Sequence, residues 1–304
     1  MLNLIYEMAT RQTAAGRGRG PAWDGLRIIR AGPPAILPLV LLLLCVSAKL
    51  SLAQPHETET AVCGSIREPF AFWLWHRVAG APNPQRIARL KDVEPITFTA
   101  PDGTKLGGYK LAAAAPKGYL LVAQGNAMLA DQLVADLQSF RDLGLDVYIY
   151  DYRGYGISQG KSRLAAIVAD YGAIVAHLNG LDYSRQFLYG ISMGGVILLN
   201  AVGDRSAYTR LVIDSAPARI SNLGCPERYD PVTHLPEDSS RVMMISGAAD
   251  TVVPPRAMDE LIRVAQARGA RILQDNVFAH PYQDSSDEVH RRRQNEVAAF
   301  LLQE

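Results

Sequence analysis

Phe187-Leu188-Tyr189-Gly190-Ile191-Ser192-Met193-Gly194-Gly195-Val196-Ile197-Leu198-Leu199 is the stretch from which the chain is read. Three apolar residues of strand length run into a G-x-S-x-G sequence, and an apolar helical stretch continues directly from its last glycine. A serine on such a strained strand-to-helix turn is held with its Oγ exposed, and the turn needs small neighbours because the chain bends so sharply. A second match, Gly156-Ile157-Ser158-Gln159-Gly160, lacks that setting. Ser158 lies eight residues beyond the apolar run ending at Tyr150, and Lys161-Ser162-Arg163 follows it with no helix start. Ser192 is therefore the nucleophile candidate, and Ser158 is expected to be a loop residue whose glycines serve turns.

On both sides of this stretch, short apolar runs alternate with longer segments of helical period. The runs are Tyr119 to Ala123, Val147 to Tyr150, Phe187 to Tyr189, Leu211 to Ile213, Val242 to Ile245 and Ile272 to Val277. The helical segments are Asp131 to Leu143, Leu164 to Leu178, Gly194 to Val202, Arg256 to Ala267 and Ser286 to Leu302. Ahead of them, Ile96 to Ala100 and Leu106 to Leu111 flank Pro101-Asp102-Gly103 and read as a β-hairpin. The alternation predicts an α/β fold: a mostly parallel, doubly wound sheet with helices on both faces.

A serine alcohol attacks poorly until a general base takes its proton, and that base is oriented by a carboxylate. With chain order Ser, acid, His, only His234, His280 and His290 follow Ser192. His280 sits just past the last apolar run in Ala279-His280-Pro281, where it can reach over strand ends. His234, in a Pro-rich connection, is the weaker rival. His290, beside Arg291 to Arg293, reads as a solvated surface residue, and His177 as a partly buried packing residue on a helix. Asp250 and Asp214 each follow an apolar run, and turn or capping duty is open to either. The oxyanion of an acyl transfer needs backbone N–H donors. One is expected from Met193, at a helix N-terminus, and the other from Asn126, in Gln124-Gly125-Asn126-Ala127 after the first run.

These residues resemble the α/β-hydrolase fold serine hydrolases. The branch most similar carries H-G-N-A after strand 3, D-Y-R-G-Y-G-x-S after strand 4, G-x-S-M-G-G at the nucleophile and G-x-x-D before the acid. It includes protein-depalmitoylating thioesterases and many uncharacterised bacterial hydrolases. The matches are Gly125 to Ala127, Asp151 to Ser158, Gly190 to Gly195 and Gly247 to Asp250, within roughly residues 94–303. The resemblance implies Asp250 as the acid, a minimal cap, and acyl-enzyme chemistry on carboxylic esters or thioesters. It also implies that Asp151 and Arg153 fix a loop rather than react. Gln124 departs from the pattern, standing where the family usually has His. A peptidase or amidase on the same triad, or a catalytically silent binding protein on the same scaffold, is the alternative function.

Composition sets outer limits. The chain has 304 residues, 48% hydrophobic and 20% charged, and so is neither disordered nor coiled-coil. Lys and Arg total 31 against 30 acidic residues, without a basic stripe, which argues against a nucleic-acid partner. The three cysteines, Cys45, Cys63 and Cys225, have no metal-ligand spacing, and neither metal nor organic cofactor is expected.

Residues 1–53 carry Arg11, Arg17, Arg19, Arg27, Arg30 and Lys49 against Glu7 and Asp24, then the apolar run Leu39 to Ala48, and end Ser51-Leu52-Ala53. That reads as a cleaved signal peptide. An uncleaved N-terminal anchor, with membrane association through it, is the alternative, since a spanning helix needs ~20 apolar residues and prolines shorten this run. The protein is thus expected to be exported, periplasmic or extracellular, where Cys63 and Cys225 could pair or remain separate thiols. Residues 54–93 read as an N-terminal extension packed on the body, and 94–304 as the α/β-hydrolase domain. Between Ile213 and Val242 only a Pro-rich stretch of 26 residues, Ser215 to Ser240, is available for a cap. An open site and a small-molecule ester of short to medium acyl chain are the corresponding expectations.

Overall fold

A computed structural model describes residues 60–203 and 207–303. Its strands are β1 (Val93–Thr99), β2 (Lys105–Leu111), β3 (Tyr119–Ala123), β4 (Asp146–Tyr150), β5 (Gln186–Ile191), β6 (Arg210–Asp214), β7 (Val242–Gly247) and β8 (Arg271–Asp275). Its α-helices are α1 (Arg67–Ala79), α2 (Ala130–Asp142), α3 (Leu164–Asn179), α4 (Met193–Val202), α5 (Pro255–Ala267) and α6 (Asp287–Leu302). The strands form one sheet in the order β1-β2-β4-β3-β5-β6-β7-β8. The β1–β2 hairpin and the β2–β4 pair are antiparallel, and every pairing from β4 to β8 is parallel.

The apolar runs became strands because the sheet is covered on both faces. Every residue of β3, β4 and β7 is buried, the pattern of parallel strands sandwiched between helices. Side chains alternate between the faces. Leu121, Leu188, Ile213 and Met244 pack with α3, α4 and α5. Val122, Tyr189, Val212 and Ile245 pack with α2 and α6. This is the mostly parallel α/β-hydrolase architecture that the motifs implied.

Three local readings change. The stretch 54–93 showed no clean period, yet it contains α1. Glu68, Ala71, Phe72 and Ala79 are buried while Ile66, Phe70 and Trp73 are exposed, so apolar residues lie on both sides of the helix and blur its amphipathic contrast. The last strand stops at Asp275, two residues short of Val277, because Asp275 Oδ1 accepts the N–H groups of Val277 (2.8 Å) and Phe278 (3.2 Å) and folds the chain into a turn. His177 is exposed rather than packed inside, its ring centroid 5.5 Å from that of Phe98.

Residues 1–53, read as signal or anchor, lie outside the described residues. No helix among the described residues is long and apolar enough to cross a membrane. Cys63 and Cys225 form a disulfide across 162 positions, tying the approach to α1 to the connection between β6 and β7. That connection holds only short 3-10 turns at Ser221–Leu223, Glu227–Tyr229 and Pro231–His234, so the cap is minimal.

Candidate active site

Parallel strands bring their C-terminal ends to one edge of the sheet, where ligands of open α/β sheets are bound. Ser192 directly follows β5, Asn126 lies three residues past β3, Asp250 three past β7, and His280 five past β8.

At Ser192 the backbone has φ 53° and ψ −115°, a conformation sparsely populated by L-residues. It is held because Ser192 N–H donates to Asp214 O (2.8 Å) while Ser192 O accepts from Gly195 N–H (3.0 Å). The glycines are a steric requirement. A Cβ on Gly194 would stand 1.9 Å from Ala123 O, so α4 can start this close to β3 only without one. Met193 is the first residue of α4, and its N–H has no acceptor within the helix.

Asp250 and His280 meet. His280 Nδ1 lies 2.9 Å from Asp250 Oδ2, and both residues are buried. The other carboxylate oxygen, Oδ1, accepts from Val252 and Val253 N–H at 2.8 Å each. Burial pushes the Asp250 carboxyl up, but the bond and charge of His280 and those two N–H groups outweigh it and hold the pKa below the ordinary value. An ionised Asp250 makes His280 Nδ1 the donor, which leaves Nε2 as the lone-pair nitrogen of the neutral ring.

Asp214, the other acid candidate, is engaged elsewhere. It is fully buried and accepts from Arg293 Nη1 (2.8 Å), Tyr189 OH (3.0 Å) and Ser215 Oγ (3.1 Å). Arg293 also donates to Asp284 and, at 2.6 Å, to the carbonyl of Ala279, the neighbour of His280. Asp284 in turn accepts from Ala279 N–H (3.0 Å). Arg293 thus fastens the His280 loop to the end of β6. Sequence reasoning gave Arg293 no role, but the helical spacing Val289, Arg293, Val297, Leu301 places it on the apolar face of α6, which is the signal that could have found it. His290 is half-buried, not solvated. Its Nδ1 lies 3.6 Å from Asp284 Oδ2 and its ring is 4.9 Å from that of Tyr282. His234 Nε2 bonds the carbonyl of Arg228 (2.7 Å).

On the other flank, Tyr155 OH donates to Asn126 Oδ1 (3.1 Å), and Ala127, at φ 58°, donates its N–H to the same oxygen (2.9 Å). Gln124 is buried, its carbonyl accepts from Tyr152 OH, and neither side-chain polar atom has a partner. Asp151 accepts from Ala130 N–H (2.7 Å) and Ile157 N–H (3.0 Å), which pins the loop after β4 to the start of α2. Arg153 grips Asp170 through two nitrogens and reaches Asp102. Ser158 Oγ donates to Asp151 O (2.6 Å) and accepts from Gly107 N–H (2.9 Å), the bonds of a structural loop residue.

The sequence profile of the family described as Serine aminopeptidase, S33, matches residues 114–234, a span that holds Ser192 and Asn126 but ends before Asp250 and His280. Uncharacterized protein YfhR of Escherichia coli K12 is 26% identical over 231 residues, 69% of this chain and 80% of that protein. Among solved structures, the Pyrococcus furiosus esterase Pf2001 superposes with a TM-score of 0.57 at 16% identity, over 72% of this chain and 94% of that one. XC6422 of Xanthomonas campestris, described as a serine hydrolase without a lid, gives 0.55 at 17% identity over 70% and 97%.

Proposed function

We propose, on the premise that this chain is an α/β-hydrolase-fold serine hydrolase acting on small ester or acyl substrates, that it works through an acyl-enzyme on carboxylic esters or thioesters of short to medium chain. The observation that carries this reading is the bond of 2.9 Å between His280 Nδ1 and Asp250 Oδ2, made at the sheet edge where Ser192 stands in its strained turn. In this mechanism His280 Nε2 takes the Ser192 proton as Oγ bonds the acyl carbon. The N–H groups of Met193 and Asn126 hold the resulting oxyanion. His280 then protonates the departing alcohol or thiol, and the same histidine activates the water that frees the acid.

The short connection between β6 and β7 supports the chain-length preference. Without a helical cap there is little apolar wall for a long chain, whose burial would contribute ~0.8 kcal/mol per methylene. The Cys63–Cys225 disulfide supports export to an oxidising compartment, in line with the signal-like residues 1–53.

The match to a family described as aminopeptidases favours one second reading, amide hydrolysis by the same residues. A fluorophosphonate probe should label Ser192, and a series of p-nitrophenyl esters from acetyl to palmitoyl, run beside a thioester and a peptide amide, tests the substrate. A kcat/KM climbing steadily to palmitoyl would sink the chain-length reading. Faster turnover of the amide than of any ester would transfer the function to the second one.

A further inference from the structure

α1 and the loop from Gly154 to Arg163 flank an open cleft of about 210 Å³, which the reaction above does not use. One wall is apolar, formed by Phe72 and Trp73 of α1; the other carries Lys161 and Arg163. Among the described residues neither takes part in an ion pair, the Arg163 guanidinium donates only to the carbonyl of Ser162 (2.7 Å), and its Nε is buried without an acceptor.

Nearby carboxylates are committed elsewhere. Glu68 uses both oxygens on the N–H groups of Cys63 (2.6 Å) and Leu164 (2.9 Å). Asp170 and Asp102 are held by Arg153, and Asp151 by Ala130 and Ile157. Arg163 Nη2 is neither buried nor bonded to a described residue, so an anion in the cleft can take it as a charge-assisted donor.

The loop is also built before any ligand arrives. Ser162 Oγ donates to Arg153 O (2.7 Å), and Arg153 is clamped by its two aspartates, so the cationic wall is pre-organised. Outward from the cleft the surface stays apolar. Phe70 stacks on Trp73 with ring centroids 5.7 Å apart, and Ile66, Phe70 and Trp73 are all more than half exposed. At spacings of four and three along α1 they form one stripe.

We propose that this cleft is a binding site for an anionic amphiphile. Its oxyanion head, carboxylate or phosphate, sits between Arg163 and Lys161, and its apolar chain runs over Trp73 and Phe70. The cleft is smaller than the ~300 Å³ at which drug-sized pockets begin, which suits a head group and its first methylenes with the rest of the chain on the helix surface. Inside, Phe72 and His76 meet Tyr155 edge-on at 6.4 and 5.6 Å between ring centroids, and Tyr155 bonds Asn126. The site thus lies one aromatic ring from the candidate oxyanion loop.

The test uses the full chain and octyl phosphate below its critical micelle concentration, followed by tryptophan emission and by calorimetry. Octyl glucoside and inorganic phosphate serve as the uncharged and tailless controls. The expected result is saturable binding of octyl phosphate, weakened about tenfold or more in Arg163→Gln/Lys161→Gln and several-fold in Trp73→Ala, with unchanged far-UV circular dichroism. Both charge positions face solvent in part, so the double variant should fold; if it does not, Trp73→Ala with the two controls decides. Octyl glucoside bound as tightly as octyl phosphate would reduce the site to an apolar groove and overturn the proposal. So would inorganic phosphate bound as tightly, or octyl phosphate not bound at all. Vesicles with and without an anionic phospholipid identify the source: binding lost in the same variants assigns the head group to a bilayer, and binding of octyl phosphate alone assigns it to a free amphiphile.

Discussion

Ser192 holds φ 53° where most side chains would not, and that cost of about 1–3 kcal/mol is stored beside the reacting oxygen. Two substitutions separate strain from chemistry. Ser192→Ala should abolish hydrolysis with little change in stability, whereas Ser192→Gly should abolish it and raise stability by about 1 kcal/mol, because glycine adopts positive φ freely. Ser158→Ala should keep at least about a tenth of the activity, since its Oγ only braces Asp151 and Gly107. Probe labelling with thermal unfolding checks all three, and a Ser192→Gly protein that melts below wild type would contradict the strain argument. The two acids part in the same way. Asp250→Asn should lower kcat on the order of 10³–10⁴-fold with little effect on folding, because it disturbs the imidazole it holds. Asp214→Asn should instead cost about 3 kcal/mol of stability by breaking a buried pair with Arg293, while surviving folded molecules keep most of their turnover. A larger activity loss per folded molecule from Asp214→Asn would move the acid to β6.

At the scale of elements, the segment from the end of β8 to the start of α6 is fastened by charge. Burial works against the Asp284 carboxyl, but His290 and Arg293 outweigh it and hold its pKa at about 2, down from 3.8. The folded-state value is depressed, so Asp284 contributes stability that is complete above about pH 4 and is lost as pH falls toward about 2. Asp284→Asn lacks that contribution at every pH. Its unfolding free energy from urea titration should therefore lie below that of wild type at neutral pH by roughly 1–3 kcal/mol. The gap should narrow as the solution is acidified through this window. A gap that stayed constant on acidification would show that Asp284 is not titrating with the fold. Because Arg293 also holds the Ala279 carbonyl, the same variant should loosen the His280 loop and lower kcat at pH 7.

Across the whole molecule, the Cys63–Cys225 bond closes a loop of 162 positions, for which the chain-entropy account gives up to about 5 kcal/mol. Cys63→Ala/Cys225→Ala should unfold at a clearly lower temperature, and reduction of wild type should reproduce the shift. Native mass analysis with an alkylating agent provides the check: alkylation of both Cys63 and Cys225 in the unreduced protein would remove both the bond and the argument for an oxidising compartment. The bond also fixes the segment leading into α1, which with Phe72 forms one wall of the amphiphile cleft, so its loss should weaken octyl phosphate binding as well.

The parallel sheet and the strand-turn-helix setting of Ser192 could be read from sequence because both depend on local requirements: short, continuously apolar runs, a helix start, and glycines where a Cβ has no room. His280 stood out as a candidate by its place after the last strand, and Asp250 through the motif of which it is part. What sequence left open depended on partners far along the chain. The period of α1 was hidden because its two sides bury and expose apolar residues alike. Arg293 looked like one charge in a basic triplet until the fold set Asp214, 79 positions away, against it. The pairing of two cysteines and the lack of an ion-pair partner for Lys161 and Arg163 among the described residues likewise follow from distances in space, which only tertiary packing fixes.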